Sequence, residues 1–208
     1  MPILCCLLQC ITGEVSGIQF IDSTPLDTCK DLRGSRHNIF RGIAAKSRKS
    51  TGWFYVLKLH TIFNDKSEFV SIRITPGNVD DRKPVLTMAK GSWGKLFGDK
   101  GYVSEELTTQ LLNQDSLLIT RLKKNMKNKL LLLQDKFLLY KRSIIETIFG
   151  KLKQFQRLWH STFRSVENAF CNLMACLIPY QLSPYKPTIS TTITLVILSL
   201  LRVLNIHT

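Results

Sequence analysis

The six cysteines include no Cys-x2-Cys pair, and no histidines accompany them at zinc-finger spacing, which argues against a structural zinc site. Nor do Cys5, Cys6, Cys10, Cys29, Cys171 and Cys176 form the framework of a disulfide-stapled secreted domain, so they read as reduced thiols in a cytosolic protein. The apolar start, Met1 to Ile11, lacks a basic n-region and a small-residue cleavage site, so it does not read as a secretory signal; it reads as an internal segment serving as an N-terminus. There is no helix-turn-helix pattern, homeodomain signature, internal repeat or low-complexity tract. The apolar tail Ile189 to Leu204, interrupted by Arg202, falls short of the ~20 residues that a spanning helix needs. Acids are scarce: 15 Asp+Glu face 29 Lys+Arg, a formal charge of +14. That surplus selects a polyanionic partner, nucleic acid or an anionic membrane surface.

With 208 residues, 44% of them hydrophobic, the chain can bury one ordinary core. Ile18 to Ile21 reads as the first strand, stopped by Pro25. Lys30 to Lys49 is basic and aperiodic, an exposed loop suited to phosphate contacts. Trp53 to Phe63 and Phe69 to Thr75, joined by Asn64-Asp65-Lys66-Ser67, predict a β-hairpin. Asp80 or Asp81 can cap a helix running to about Lys90. A strand over Lys95 to Asp99, a helix over Ser104 to Asn113 capped by Ser104, and a strand over Ser116 to Arg121 follow. Lys123, Lys124, Lys127, Lys129, Lys136 and Lys141 form a second basic patch, opposed only by Asp135. Phe137 to Trp159 predicts one long helix and Phe163 to Tyr180 another, after which Pro179, Pro184 and Pro187 end regular structure. The predicted order is βββαβαβ followed by helices.

Three acids stand out by position. Arg142, Glu146 and Lys153 are four and seven residues apart, so on a helix they share one face, with Ile144, Ile145, Ile148, Phe149 and Leu152 on the apolar side. Asp22 emerges where the Gly17–Ile21 apolar run stops, and Asp99 ends a second short strand inside Gly98-Asp99-Lys100-Gly101-Tyr102. With these motifs the chain resembles the DDE transposases of bacterial insertion sequences, whose hallmarks are a first Asp in a strand, a second in a Gly-Asp-Lys-Gly-Tyr strand end, and a helical Arg-x3-Glu-x6-Lys signature. The resemblance covers Gly17 to Tyr180 and implies an α/β fold, a ribonuclease-H-like mixed sheet flanked by helices. It further implies catalytic and metal-binding roles for Asp22, Asp99 and Glu146, and a location in the bacterial cytoplasm at the nucleoid.

The implied cofactor is Mg²⁺ or Mn²⁺, two ions ~3.5–4 Å apart that activate the attacking oxygen and stabilise the leaving one. Asp22 would bridge both ions, with Asp99 on one and Glu146 on the other. Water would first free a 3′-hydroxyl, which would then attack target DNA. Double-stranded DNA is the implied partner, bound by Arg142, Lys153, Lys100, Lys123, Lys124 and Arg41, with a homo-oligomer as the active form. The tyrosine that precedes the Arg by three positions in related transposases is replaced by Leu139, with Tyr140 one step off. Asp80 and Asp81 read as a cap and a solvated acid, and His60 as a half-buried strand residue. Residues 1–16 read as a remnant segment, 17–182 as the catalytic domain and 183–208 as a tail foreign to it, the pattern of a truncated copy. Two rival readings are a DNA-binding remnant that does not cut, and a small basic membrane protein anchored by Ile189 to Leu204.

Overall fold

The computed structural model describes residues 2–30, 38–49, 52–121, 131–154, 158 and 163–187. Helix α1 (Pro2–Cys10) leads into strands β1 (Ile18–Lys30), β2 (Ala45–Lys49), β3 (Gly52–Asn64) and β4 (Phe69–Pro76). Helix α2 (Val85–Met88), strand β5 (Gly94–Gly98), helix α3 (Glu105–Leu112) and strand β6 (Ser116–Thr120) follow. Helices α4 (Leu133–Lys141), α5 (Ile144–Gln154) and α6 (Val166–Leu182) complete the described chain.

The strands form one sheet in the order β2-β3-β1-β5-β6, with β4 also on β3. β1 runs antiparallel to β3 and parallel to β5, and β5 is parallel to β6. A meander of antiparallel strands joined to a parallel pair, with helices on both faces, is a mixed sheet of ribonuclease-H-like form. The apolar runs explain the layering. Neighbouring residues on a strand point to opposite faces, so a strand with two adjacent apolar residues is covered on both sides. Phe20, Phe63, Phe97 and Ile119 join the core beneath α5 and α6, which contains Ile148, Phe149, Leu152, Leu173 and Leu177. Their neighbours Ile21, Ile62, Leu96 and Leu118 join a second core with Val85, Met88, Leu107 and Leu111.

Aromatic rings knit the larger core. Phe20 stacks on Phe97 at 5.5 Å between centroids, and Phe63 meets Phe69 at 4.7 Å and the edge of Phe149 at 6.1 Å. Phe63 thereby joins the hairpin to α5. On the far side α6 is tied down by polar contacts: the Tyr180 hydroxyl donates to the Ser67 carbonyl, and Gln181 accepts from the Phe69 amide and donates to the Ile11 carbonyl. At the entrance to β1 and β5 the two backbones nearly touch, since a Cβ on Gly94 would lie 2.3 Å from the Gly17 carbonyl oxygen.

The hairpin, β5, β6 and the Ser104-capped α3 lie where the sequence predicts them; Ser104 Oγ accepts from the Leu107 amide. Five local expectations are corrected. β1 does not stop at Pro25 but runs to Lys30: β5 covers its second edge only over Ile18–Phe20, so the missing amide of Pro25 faces an open edge and costs no ladder bond. The basic stretch before Lys49 contributes β2, an edge strand on β3, and buries Phe40. Asp80 caps only a turn, accepting from the Arg82 amide, and the helix that follows is confined to Val85–Met88. The single helix predicted over 137–159 is two, α4 and α5, broken at Arg142–Ser143. There the Ser143 hydroxyl donates to the Tyr140 carbonyl, and the amides of Ile145 and Glu146 bond back only three residues. α6 passes through the exposed Pro179 and ends at Leu182.

Truncating Phe63 removes the ring that bridges β4 and α5. Phe63→Ala is expected to lower unfolding free energy by about 3–5 kcal/mol, read from the urea midpoint at unchanged slope.

Candidate active site

β1 presents Phe20 and Asp22 on the same face, the one that α5 covers, so Asp22 sits at the rim of the aromatic core rather than in open solvent. β5 runs parallel beside it and releases the chain at Gly98, which sets Asp99 just past the strand end at the start of a 3-10 turn over Lys100–Tyr102. The break between α4 and α5 turns Arg142 inward, and Glu146 follows in the first turn of α5.

These three segments meet at one guanidinium. Arg142 Nη1 donates to Asp22 Oδ2 at 3.0 Å, and Nη2 lies 3.8 Å from both Asp99 Oδ1 and Glu146 Oε1. The arginine side chain is 8% exposed, against 21% for Asp22, 48% for Asp99 and 69% for Glu146, so the cluster opens outward from a buried cation. Arg142 Nε is buried without a hydrogen-bond partner among the described residues. Burial raises the Asp22 carboxyl above its ordinary value, opposed by the Arg142 charge and by the Ser23 amide that donates to Oδ1 at 2.9 Å; the charge of Asp99 adds to the rise.

Tyr102, the last residue of the Gly-Asp-Lys-Gly-Tyr run, is buried against this group. Burial, then the charge of Asp22, holds its phenol far above the ordinary range, so it stays protonated at working pH. Sequence reasoning overlooked one supporting pair: Lys95 Nζ donates to the buried Asp135 at 2.6 Å, fastening α4 to β5. A lone acid in a run of lysines was the only signal for it.

Lys100 and Arg41 are exposed, and Lys153 lies exposed in the last turn of α5. Lys123 and Lys124 lie outside the described residues, as does the tail from residue 188. His60 is fully rather than half buried: its Nε2 shares a hydrogen bond of 2.8 Å with Thr75 Oγ1, and Nδ1 stands 4.0 Å from Asp81 Oδ1. Asp81 in turn accepts from Lys58 Nζ at 3.0 Å, so it is paired rather than merely solvated.

The oxygens of Asp22, Asp99 and Glu146 have the hard-donor chemistry of Mg²⁺ or Mn²⁺ sites. As arranged, they surround a guanidinium, and among the described residues no three His, Cys, Asp or Glu side chains are grouped to hold a metal ion. The donor set fits divalent ions in the chemistry of its oxygens, while in this arrangement Arg142 serves as its shared cation. Among the described residues, no helix is long and apolar enough to cross a membrane. The family described as transposase DDE domain matches residues 12–166 of the chain, a span that includes all three carboxylates and Arg142. No curated protein matches it.

Two pH signatures follow. An acid held above its ordinary value stabilises the fold only in acid, and that contribution is lost as pH rises through its folded pKa. Arg142→Gln leaves Asp22 without its counter-charge, so the variant is expected to lose on the order of 1–3 kcal/mol at neutral pH, with the deficit shrinking in acid as Asp22 takes up a proton. Urea unfolding of parent and variant across pH reads the difference; a deficit independent of pH would exclude Asp22 as the cause. Burial lowers His60 from 6.5 to about 4, so its contribution to stability is full above 6.5 and lost as pH falls toward 4. NMR titration of its ring should show a midpoint near 4, well below that of an exposed histidine.

Proposed function

The chain belongs to the transposase DDE domain family, and on that premise we propose that it is a transposase catalytic domain that cleaves insertion-sequence DNA and joins the freed end to a target. The observation that carries the reading is the meeting of Asp22, Asp99 and Glu146, from three separate segments, within 4 Å of one guanidinium. Three carboxylates at one rim repel one another unless cations hold them there, and phosphodiester chemistry demands such a concentration of charge.

Asp22, Asp99 and Glu146 are the residues that would hold divalent ions, and such ions, when bound, supply an activated attacking oxygen and a stabilised leaving oxygen. Asp22, partly buried and anchored by Ser23 and Arg142, gives the site a fixed inner wall. Glu146, the most exposed of the three acids, lines the mouth that a phosphodiester would enter. Lys100 and Lys153 offer charge to flanking phosphates, and Arg142 orients Asp22 from behind. The formal charge of +14 supports DNA as the partner through its backbone, an attraction that falls steeply with salt. A second reading, DNA binding without cleavage, is favoured by the guanidinium that stands among the carboxylates.

Nicking of supercoiled DNA at low salt with Mg²⁺ or Mn²⁺ separates them. The parent is expected to nick, and Asp22→Asn, Asp99→Asn and Glu146→Gln each to lose on the order of 10²-fold or more in rate while still binding DNA. A parent that binds DNA and never nicks with either ion would leave the binding reading in place.

A further inference from the structure

β2 and the start of β3 form an antiparallel ribbon at one end of the sheet, with the end of β1 paired along the other edge of β3 up to Phe54, and its residues are unlike those of the core. In the register Arg48 stands opposite Trp53 and Lys46 opposite Tyr55, so basic positions of one strand pair with aromatic positions of the next. Lys46 Nζ lies over the Trp53 ring at 5.2 Å from the centroid. Trp53 nevertheless leaves 50% of its surface exposed, although an indole on a strand has much to gain from burial. A cation beside a half-exposed indole matches a nucleotide, whose phosphate and base the two can meet together.

The ribbon lies toward the site. β1 and β5 run parallel, and Asp99 leaves β5 at the end toward which β1 continues past Asp22. Asp22 pairs with Thr61 of β3, and from there the strand runs back eight residues to Trp53, about 26 Å at ~3.3 Å per residue. That is about eight steps of DNA at ~3.4 Å each.

We propose that the β2–β3 ribbon is a DNA-contact arm that stacks Trp53 on an unpaired nucleotide flanking the cleavage site. This rests on the reading of the chain as a DNA-acting transposase domain. An unpaired nucleotide is required because the bases of intact duplex already stack on one another and hide the faces an indole would cover. Lys46 steadies the ring and adds charge for the adjoining phosphate.

The test compares a fluorescently labelled blunt duplex with the same duplex carrying a ten-nucleotide single-stranded extension, by anisotropy in EDTA so that nothing is cut. The parent is expected to bind the extended form about tenfold or more tighter. Trp53→Ala should bring that preference down to the blunt value, and Trp53→Phe should keep part of it. Lys46→Gln should lower the slope of log affinity against log salt by about 0.7–0.9 on the extended form. If the parent binds both DNAs alike, or Trp53→Ala, folded by circular dichroism, keeps the preference, the arm is overturned and the DNA reading stands. If the parent binds neither DNA, the functional reading falls and the arm with it.

Discussion

The site depends on one cation. Without Arg142, Asp22 within β1 and Asp99 just past the end of β5 would be two like charges side by side, one of them largely withdrawn from water, with Glu146 adding a third. The guanidinium is suited to this role because its planar nitrogens reach several oxygens at once and its charge does not titrate. It also couples the sheet to the helices, since Asp22 belongs to β1, Asp99 follows β5, and Arg142 and Glu146 flank the break between α4 and α5. The break is therefore part of the site. In an uninterrupted helix Arg142 and Glu146 would follow one stripe along a single axis, whereas the shortened turn lets the arginine point into the cluster from its own helix end.

What carries the cluster is ordinary packing. Doubly covered strands hold β1 and β5 side by side, and Phe63 and Phe149 fix the height of α5 above them. Lys95 and Asp135 clamp α4 to the strand that delivers Asp99. The acids are thus positioned by apolar contacts and one partly buried ion pair in their supports, and the contacts of Arg142 with Asp99 and Glu146 remain loose, at 3.8 Å, on the exposed side.

Much of this was legible in the sequence, and for physical reasons. A run of aromatic and branched residues and a side-chain-satisfied turn locate the β3–β4 hairpin, with Asn64 Oδ1 accepting from the Lys66 and Glu68 amides; a serine before two glutamates locates α3. The Asp99 strand end was legible because glycines flank it, and Glu146 because apolar residues define the opposite face of its helix. The failures share a cause, the dependence of local rules on neighbours that only the fold supplies. Pro25 breaks no strand because its edge is open, and Pro179 breaks no helix because Tyr180 and Gln181 are anchored elsewhere. Ser143 looked neutral in a helical pattern until its hydroxyl took the Tyr140 carbonyl. Helical spacing put Arg142 on a charged stripe with Glu146; the break buries it among the carboxylates.

The placement of the cluster also orders its appearance in time. A ribosome delivers β1 first, then β5, and last the turn between α4 and α5. A growing chain that has not reached that turn carries two of the three acids and no guanidinium to gather them. Tying the final carboxylate and its partner to the last third of the domain therefore delays assembly of the cluster until all six strands of the sheet exist.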